Sequence, residues 1–102
     1  MSAFGAVAEP TRREILALLR ERERPVGELV RHLKISQPGV SKHLRVLREA
    51  GLVAVRPEGR RRLYGLRAEP LAELDAWLAP YRECWAGRLD ALERHLDDRE
   101  DP

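Results

Sequence analysis

The segment of residues 36–53, SQPGVSKHLRVLREAGLV, limits the fold most strongly, because it signals both the beginning and the end of one helix. Ser36 is a favourable N-cap, and Pro38 suits the first helical turn. Gly51 is the residue type that commonly terminates a helix, and Leu52 behind it can close the apolar end of the cap. The apolar residues in between lie at i, i+4 and i+7 of one helix face: Val40, Leu44 and Leu47. The sequence therefore predicts an amphipathic helix over about residues 36–50.

Further helices are predicted before this one. A short turn of helix is expected over residues 4–7. Pro10 suits the first turn of the next helix, which should end before Pro25 because the residue preceding a proline disfavours helical geometry. Val26 is then predicted to pair as a very short strand, and residues 28–33 to form another helix with apolar residues at helical spacing.

Two strand-like runs follow Gly51. Residues 52–56 and 60–66 flank the turn-forming sequence Pro57-Glu58-Gly59. Two such runs around a Pro/Gly turn predict a two-stranded β-hairpin. The expected fold class is therefore mainly α with a small β-hairpin wing, in the order of a winged helix-turn-helix.

The last third of the chain, about residues 70–97, is again helical in pattern. Its large apolar residues fall close to alternating spacings of three and four, which predicts one apolar stripe. Pro80 lies inside this helix and should kink it or split it near residues 78–79. We expect the stripe to bury against a second copy of the chain through Leu74, Trp77, Leu78, Tyr81, Trp85, Leu89 and Leu92. Phe4 and Val7 of the N-terminal segment can join this interface. The alternative is a helix that folds back onto its own domain.

The length of 102 residues suits one domain with a modest core, which we place at about residues 9–67, followed by the dimerisation segment. Residues 1–68 contain 15 Lys and Arg against 7 Asp and Glu, whereas residues 69–102 contain 4 against 10. This asymmetry indicates a basic surface for an anionic partner, the alternative being a solvated surface whose charge is uneven by chance. No apolar run reaches membrane-spanning length, no signal peptide is apparent, and there is one cysteine, so we expect a cytoplasmic protein.

The outer face of the predicted helix 36–50 is polar and mostly basic. A helix in the major groove of double-stranded DNA reads base edges with its N-terminal part, and the N–H groups behind the Ser36 cap favour a phosphate. Gln37 can bind adenine in bidentate geometry, and Arg45 can bind guanine. Phosphate contacts suit the other polar residues of this face, Ser41, Lys42 and Arg48.

Three successive arginines, Arg60, Arg61 and Arg62, occupy the predicted hairpin tip. Neighbours on a strand point to opposite faces, so about two of the three should face one way. An arginine at such a tip suits a phosphate or a narrow minor groove. The alternative is a solvated edge strand that its charges protect from aggregation.

These segments together resemble a known family. The stretches AEPTRREILALL, VGELVRHLKISQPGVSKHLRVLREAGLVAVRPEGRRRLYGL and LDAWLAPYRECW are similar to the ArsR-type family of bacterial repressors, and the similarity covers nearly the whole chain. Its most specific part is the SQPxVSxHLxxLxxAGLV core followed by GRxxxY. The resemblance implies a dimeric winged-helix transcription regulator, usually a repressor that an effector releases from DNA. It also implies a recognition helix and a wing that carry Gln37, Ser41, Lys42, Arg45 and Arg60 to Arg62.

The inducer sites common in that family are missing from the sequence. Residues 25–30 stand where many members have a cysteine pair, and they contain no cysteine. The final helix has no Asp-x-His pair. We therefore expect no metal and no cofactor, and the effector stays unknown. Cys84 is expected to be buried near the dimer interface. His43 is expected to contact DNA, or to pack against the helix that begins at Pro10 or against the partner.

The predicted function is sequence-specific DNA binding as a dimeric repressor, at an inverted repeat whose half-sites lie about one helical turn apart. Catalysis is not expected, because three histidines on separate elements and one cysteine do not assemble a nucleophile with a base and an orienting group. The alternative function is a winged-helix protein–protein adaptor that binds no operator.

Overall fold

The computed structural model describes the backbone of residues 2–100 and the side chains of residues 2–96. These residues form five helices and one pair of strands, so the prediction of a mainly α fold with a small hairpin is confirmed. In chain order the elements are α1 (Ala3–Val7), α2 (Pro10–Glu21), α3 (Val26–Leu33), α4 (Gln37–Glu49), β1 (Val53–Glu58), β2 (Arg61–Leu66) and α5 (Leu71–Glu100).

The chain divides into two compact units, Met1–Ala72 and Glu73–Pro102. The first unit contains α1 to α4 and the hairpin, and the second contains α5 from its third residue onward. Across the described residues, no helix has both the length and the apolar character needed to cross a membrane.

Helix α4 begins and ends where its local signals predict. The Oγ of Ser36 accepts a hydrogen bond from the N–H of Gly39 at 3.3 Å, which satisfies one of the unpaired donors of the first turn. At the other end Gly51 has a φ of 77°. Its N–H donates to the carbonyl of Arg48 at 3.0 Å, and the N–H of Leu52 donates to the carbonyl of Leu47 at 2.9 Å. This pair of bonds is the Schellman motif, which turns the chain sharply from α4 into β1.

We expect Gly51→Ala to lower the free energy of unfolding by about 1 to 2 kcal/mol, because an L-residue in the left-handed region brings its Cβ too close to the backbone. The space around Gly51 is not the cause, since an added Cβ would meet only Cγ of Pro70 at an ordinary 3.5 Å. Gly27→Ala is the matched control, because Gly27 lies in α3 and its added Cβ would meet only Arg31 at 3.9 Å. Urea denaturation should show the control unchanged or stabilised. Equal losses of stability in both variants would contradict the view that the positive φ of Gly51 causes the effect.

The core of the first unit lies where α4 packs against α1, α2, α3 and β1. Because α4 presents its apolar stripe to these elements, its opposite face must point outward. The fully buried large side chains are Ile15, Leu29, Val40, Leu44, Leu47 and Leu52.

The hairpin differs from the prediction in its turn. Strand β1 continues through Pro57 and Glu58, so the loop consists of Gly59 and Arg60 alone. Gly59 has a φ of 61°, and a positive φ at the first loop position is what a type II′ hairpin turn requires. Pro57 is tolerated inside β1 because this strand lies at an edge of the described sheet.

The prediction of a strand at Val26 is wrong. Val26 is the first residue of α3, and the residue that pairs with the hairpin is Arg24, two positions earlier. The N–H of Arg24 donates to the carbonyl of Tyr64 at 3.0 Å, and the N–H of Tyr64 donates back at 2.9 Å. Pro25 explains the shift, because it suits the position just before a helix and cannot itself donate a ladder hydrogen bond.

Of the two effects predicted for Pro80, a kink or a split of the helix, the structure contradicts the split. Helix α5 runs without interruption from Leu71 to Glu100, with Pro80 inside it. Proline removes the donor for the carbonyl four residues earlier, here that of Ala76. Both residues are exposed, so water can hydrate that carbonyl and the helix continues.

Candidate nucleic-acid interface

The outer face of α4 is a connected polar surface. Every residue that the sequence assigned to it is exposed: Ser36, Gln37, Ser41, Lys42, Arg45 and Arg48. Lys42, Arg45 and Arg48 take part in none of the ion pairs formed by the described side chains. Their charges are therefore available to an anionic partner.

A three-residue turn joins α3 to α4. Helix α3 ends at Leu33, and Lys34 adopts a left-handed conformation with a φ of 58°. The N–H of Lys34 donates to the carbonyl of Val30 at 2.9 Å, which closes the end of α3. Residues 34–36 then connect to α4, and helices joined by such a short turn form a helix-turn-helix.

The three wing arginines do not share one environment. Arg60 lies in the loop, exposed and without an ion pair to any described side chain. Arg61 is opposite Glu58 in the strand register, and its Nη2 lies 3.7 Å from Oε1 of that carboxylate. Arg62 is opposite Pro57 and lines a groove together with Arg48 of α4. Because Arg60 lies in the loop, only Arg61 and Arg62 occupy strand positions, where neighbouring side chains point to opposite faces.

A basic groove runs between α4 and the hairpin. Arg45, Arg48 and Glu49 line its first part with residues 53–55, in a volume of about 560 Å³. Its second part, about 310 Å³, is lined by Arg48, Val55, Arg56, Pro57 and Arg62. Because Arg48 and Val55 border both parts, the two depressions adjoin each other, and arginines of α4 and of the wing lie close together there.

Several arginines are already engaged within the chain, which the sequence did not indicate. Arg24 is only 4% exposed, and its Nε donates to the carbonyl of Leu18 at 3.0 Å while its Nη2 donates to Glu21 at 2.6 Å. Arg56 donates to both carboxylate oxygens of Glu23. Residues 1–68 therefore offer less unpaired positive charge than their composition suggests.

His43 packs against α2, which is one of the alternatives that the sequence left open. Its Nδ1 lies 3.5 Å from Nη1 of Arg12 and 3.8 Å from Oε2 of Glu9. Arg12 also donates from Nε to the carbonyl of Ala6 at 2.7 Å, at the end of α1. Desolvation raises the pKa of Glu9, but the N–H of Arg12 and the charges of His43 and Arg12 outweigh this effect, so the pKa is lowered overall.

The residues assigned to a dimer interface are largely solvent-accessible in the single chain. Phe4, Trp77, Tyr81, Trp85, Leu89 and Leu92 are exposed, and Leu74 and Leu78 are half-buried. The rings of Trp77 and Tyr81 lie 4.9 Å apart. Cys84, expected to be buried near that interface, is exposed in the single chain. In the described part of the protein, no three His, Cys, Asp or Glu side chains are grouped closely enough to hold a metal ion.

A helix-turn-helix with an exposed basic second helix, followed by a two-stranded wing, defines the class of winged helix-turn-helix DNA-binding regulators. The family model of the bacterial regulatory proteins of the arsR family matches residues 9–55. The chain belongs to this ArsR family, and its function is therefore DNA-binding transcriptional regulation and not catalysis.

Similar proteins extend the match over nearly the whole chain. The chain is 40% identical over 99 residues to the HTH-type transcriptional regulator Rv2034 of Mycobacterium tuberculosis, covering 97% of this chain and 90% of that protein. It is 32% identical over 77 residues to the transcriptional repressor SdpR of Bacillus subtilis, covering 76% and 86%. The crystal structure of a possible transcriptional regulator for arsenical resistance matches with a TM-score of 0.72 and 40% identity, covering 93% and 96%.

Proposed function

We propose that this protein is a cytoplasmic, dimeric repressor that binds an inverted-repeat operator in double-stranded DNA. Helix α4 enters the major groove, and residues 57–62 of the wing contact the adjacent backbone or minor groove. The observation that carries this proposal is the outer face of α4, which presents Lys42, Arg45 and Arg48 without intramolecular ion pairs. A relative of similar length, the SdpR protein, is named a repressor.

The side chains of α4 divide into two roles. Gln37 in the first turn reads adenine, and Arg45 reads guanine, because their planar groups match two acceptor or donor positions on those bases. Ser41, Lys42 and Arg48 bind phosphates and fix the register of the helix. The N–H groups behind the Ser36 cap add a phosphate site, since the N-terminal end of a helix carries a partial positive charge.

Dimerisation is the second part of the proposal. Residues 9–67 form the core of one DNA-binding domain, and residues 70–97 join two copies of it. Support comes from the exposed aromatic and leucine side chains of α5 at spacings of three and four, an apolar area that a monomer leaves in water. Pairing brings two α4 helices to one duplex, so half-sites are expected about 34 Å apart. No cofactor is required for this binding, and the effector is unassigned.

Selection of bound sequences from random double-stranded DNA tests the function. We expect enrichment of an inverted repeat that is bound much more tightly than unrelated DNA. The affinity should fall steeply as the salt concentration rises, because neutralised phosphates release their counterions. Binding without any sequence preference, or no binding at moderate salt, would contradict the proposal and favour the adaptor alternative.

Arginine variants test the division of roles. We expect Arg45→Ala to weaken operator binding about 5- to 150-fold and to relax preference at one base pair, the effect of losing about 1 to 3 kcal/mol of discrimination. Arg60→Ala should weaken binding to the operator and to unrelated DNA alike. It should also reduce the salt slope, the slope of log affinity against log salt concentration, by about one unit.

Arg20→Ala is the matched control, because it removes the same charge from an exposed position of α2 outside α4 and the wing. Fluorescence anisotropy on the selected operator and its single-base variants measures all three proteins. Uniform weakening by Arg45→Ala across every base variant would show that Arg45 binds a phosphate.

A further inference from the structure

One ion pair joins the wing to the connection between α2 and α3. Arg56 of β1 donates to Glu23 from Nε, at 3.2 Å to Oε1 and 3.0 Å to Oε2, and from Nη2, at 2.8 Å to Oε1. Such two-nitrogen contact fixes orientation as well as distance. The hydrogen bonds from Arg56 hold the pKa of Glu23 below its ordinary value.

Arg24, which follows Glu23, pairs with the second strand of the hairpin. Arg24 pairs through its backbone with Tyr64 of β2, in two hydrogen bonds of 3.0 and 2.9 Å. The Arg24 side chain is buried and ion-paired with Glu21 and Glu28, at 2.6 and 3.5 Å. The side chain of Arg24 therefore fixes the connection to α2 and α3. From this connection, Glu23 binds Arg56 of β1 and Arg24 pairs with Tyr64 of β2.

Gly65 leaves room for this contact. A Cβ at Gly65 would lie 3.2 Å from Cγ and 3.3 Å from Oε2 of Glu23, which is tighter than most Cβ contacts in proteins. Gly65 pairs with Ala54 in the hairpin register, so the cross-strand pair at this position is small on both strands. The Glu23 side chain crosses the hairpin in the space that these two residues leave open.

Further charged side chains extend the Glu23–Arg56 pair toward the tip of the wing. Oε2 of Glu58 lies 3.4 Å from Nη2 of Arg56, and Oε1 of Glu58 lies 3.7 Å from Nη2 of Arg61. Alternating charges thus run along the hairpin from Glu23 to Arg61. Arg60 and Arg62 take part in no ion pair between described side chains, whereas Arg56 is paired with two carboxylates and Arg61 lies near one.

We propose that Glu23 and Arg56 are positioning residues for the wing. The pair fixes the angle of the hairpin relative to α4, so that Arg60 and Arg62 reach the DNA beside the major groove that α4 occupies. Arg56 is held on the wing and does not itself bind a phosphate. This inference rests on the proposed DNA binding and adds to it two residues that touch no DNA.

Affinities for the operator and for unrelated DNA test the inference in Glu23→Gln, Arg56→Lys and the double variant. Each single variant should lower the ratio of operator to unrelated affinity about threefold, the size expected for a half-exposed ion pair. The double variant should lose no more than either single variant, because both remove one interaction. The salt slope should stay unchanged, whereas the Arg60→Ala control should reduce it by about one unit.

A direct phosphate contact by Arg56 gives a different result. Arg56→Lys would then keep its affinity, since lysine retains the charge, and Glu23→Gln would tighten binding to every DNA by releasing Arg56. That outcome overturns the inference, as do additive losses in the double variant or an unchanged affinity ratio in all three variants.

Gly65→Ala provides a variant without any charge change. Its added Cβ would lie 3.2 Å from Cγ of Glu23, so Glu23 must shift by a few tenths of an ångström away from Gly65. This variant should lower the affinity ratio by no more than Glu23→Gln does, with no further loss when the two are combined. Thermal unfolding identifies any variant that fails to fold. If Gly65→Ala fails to fold, the Glu23 and Arg56 variants still decide the test. If the unaltered protein shows no operator preference, the proposed function itself fails; a normal preference that none of the variants changes overturns the positioning role alone.

Discussion

Trp85→Glu is expected to convert the protein into a monomer and to weaken operator binding about 100-fold or more. Trp85 is 50% exposed in the single chain and lies in the middle of the α5 stripe, with Tyr81 and Leu89 one turn away on either side. Burial of such a side chain against a second copy is favourable, whereas burial of a carboxylate in the same place is strongly unfavourable. Loss of the proposed dimer would remove the contact with the second half-site, and with it an affinity gain of about 100- to 10,000-fold.

Sedimentation velocity at micromolar concentration measures the oligomeric state, and anisotropy measures the affinity for the operator. Ala76→Glu is the matched control, because it adds the same charge on the same helix but lies about 180° around the axis from Trp85. Ala76 is also exposed. The control should remain dimeric. A monomeric unaltered protein, or equal effects of both substitutions, would show that α5 does not pair through this stripe.

Leu44→Ala is expected to lower the free energy of unfolding by about 2 to 5 kcal/mol, a large part of the total for a domain of this size. Leu44 is 1% exposed and lies in the middle of the apolar stripe of α4. Its removal leaves a cavity among rigid neighbours and takes away the contacts that keep the outer face of α4 directed outward. DNA binding should weaken as well, although Leu44 itself faces the core.

Urea denaturation at one fixed protein concentration gives the stability change, since dimerisation would otherwise shift the midpoint. Leu18→Ala is the control, because Leu18 in α2 is the same residue type but only half-buried. It should cost less than half as much as Leu44→Ala. A larger loss from Leu18→Ala would mean that the packing of α4 is not the main source of stability in the first unit.

Local signals predicted α4 and its cap well. The expected range of 36–50 compares with Gln37–Glu49 in the structure, because Ser36, Pro38 and Gly51 act on their nearest neighbours. The exposure of the six candidate DNA-binding residues on this helix face followed from the same pattern, since a buried stripe at i, i+4 and i+7 leaves the opposite face in solvent. The hairpin was predicted, but its turn was placed too early because Gly59 serves as the first loop position and Pro57 remains in the strand.

The partners of the arginines could not be predicted. Glu23 and Arg56 are 33 positions apart, and Arg12 and His43 are 31 positions apart, so each contact exists only after the helices and the hairpin have packed. The strand pairing of Arg24 with Tyr64 is of the same kind. Periodicity describes one element at a time and contains no information on which distant side chain fills the space beside it.

The sequence by itself therefore determined the order of the elements, the buried face of α4 and the family, because helix caps, apolar spacing and motif letters are local properties of the chain. Tertiary structure alone decided which basic side chains remain unpaired, because an arginine is available to DNA only when no carboxylate or carbonyl from another element lies within hydrogen-bonding distance. It left Lys42, Arg45, Arg48, Arg60 and Arg62 open while Arg24 and Arg56 were tied to the fold.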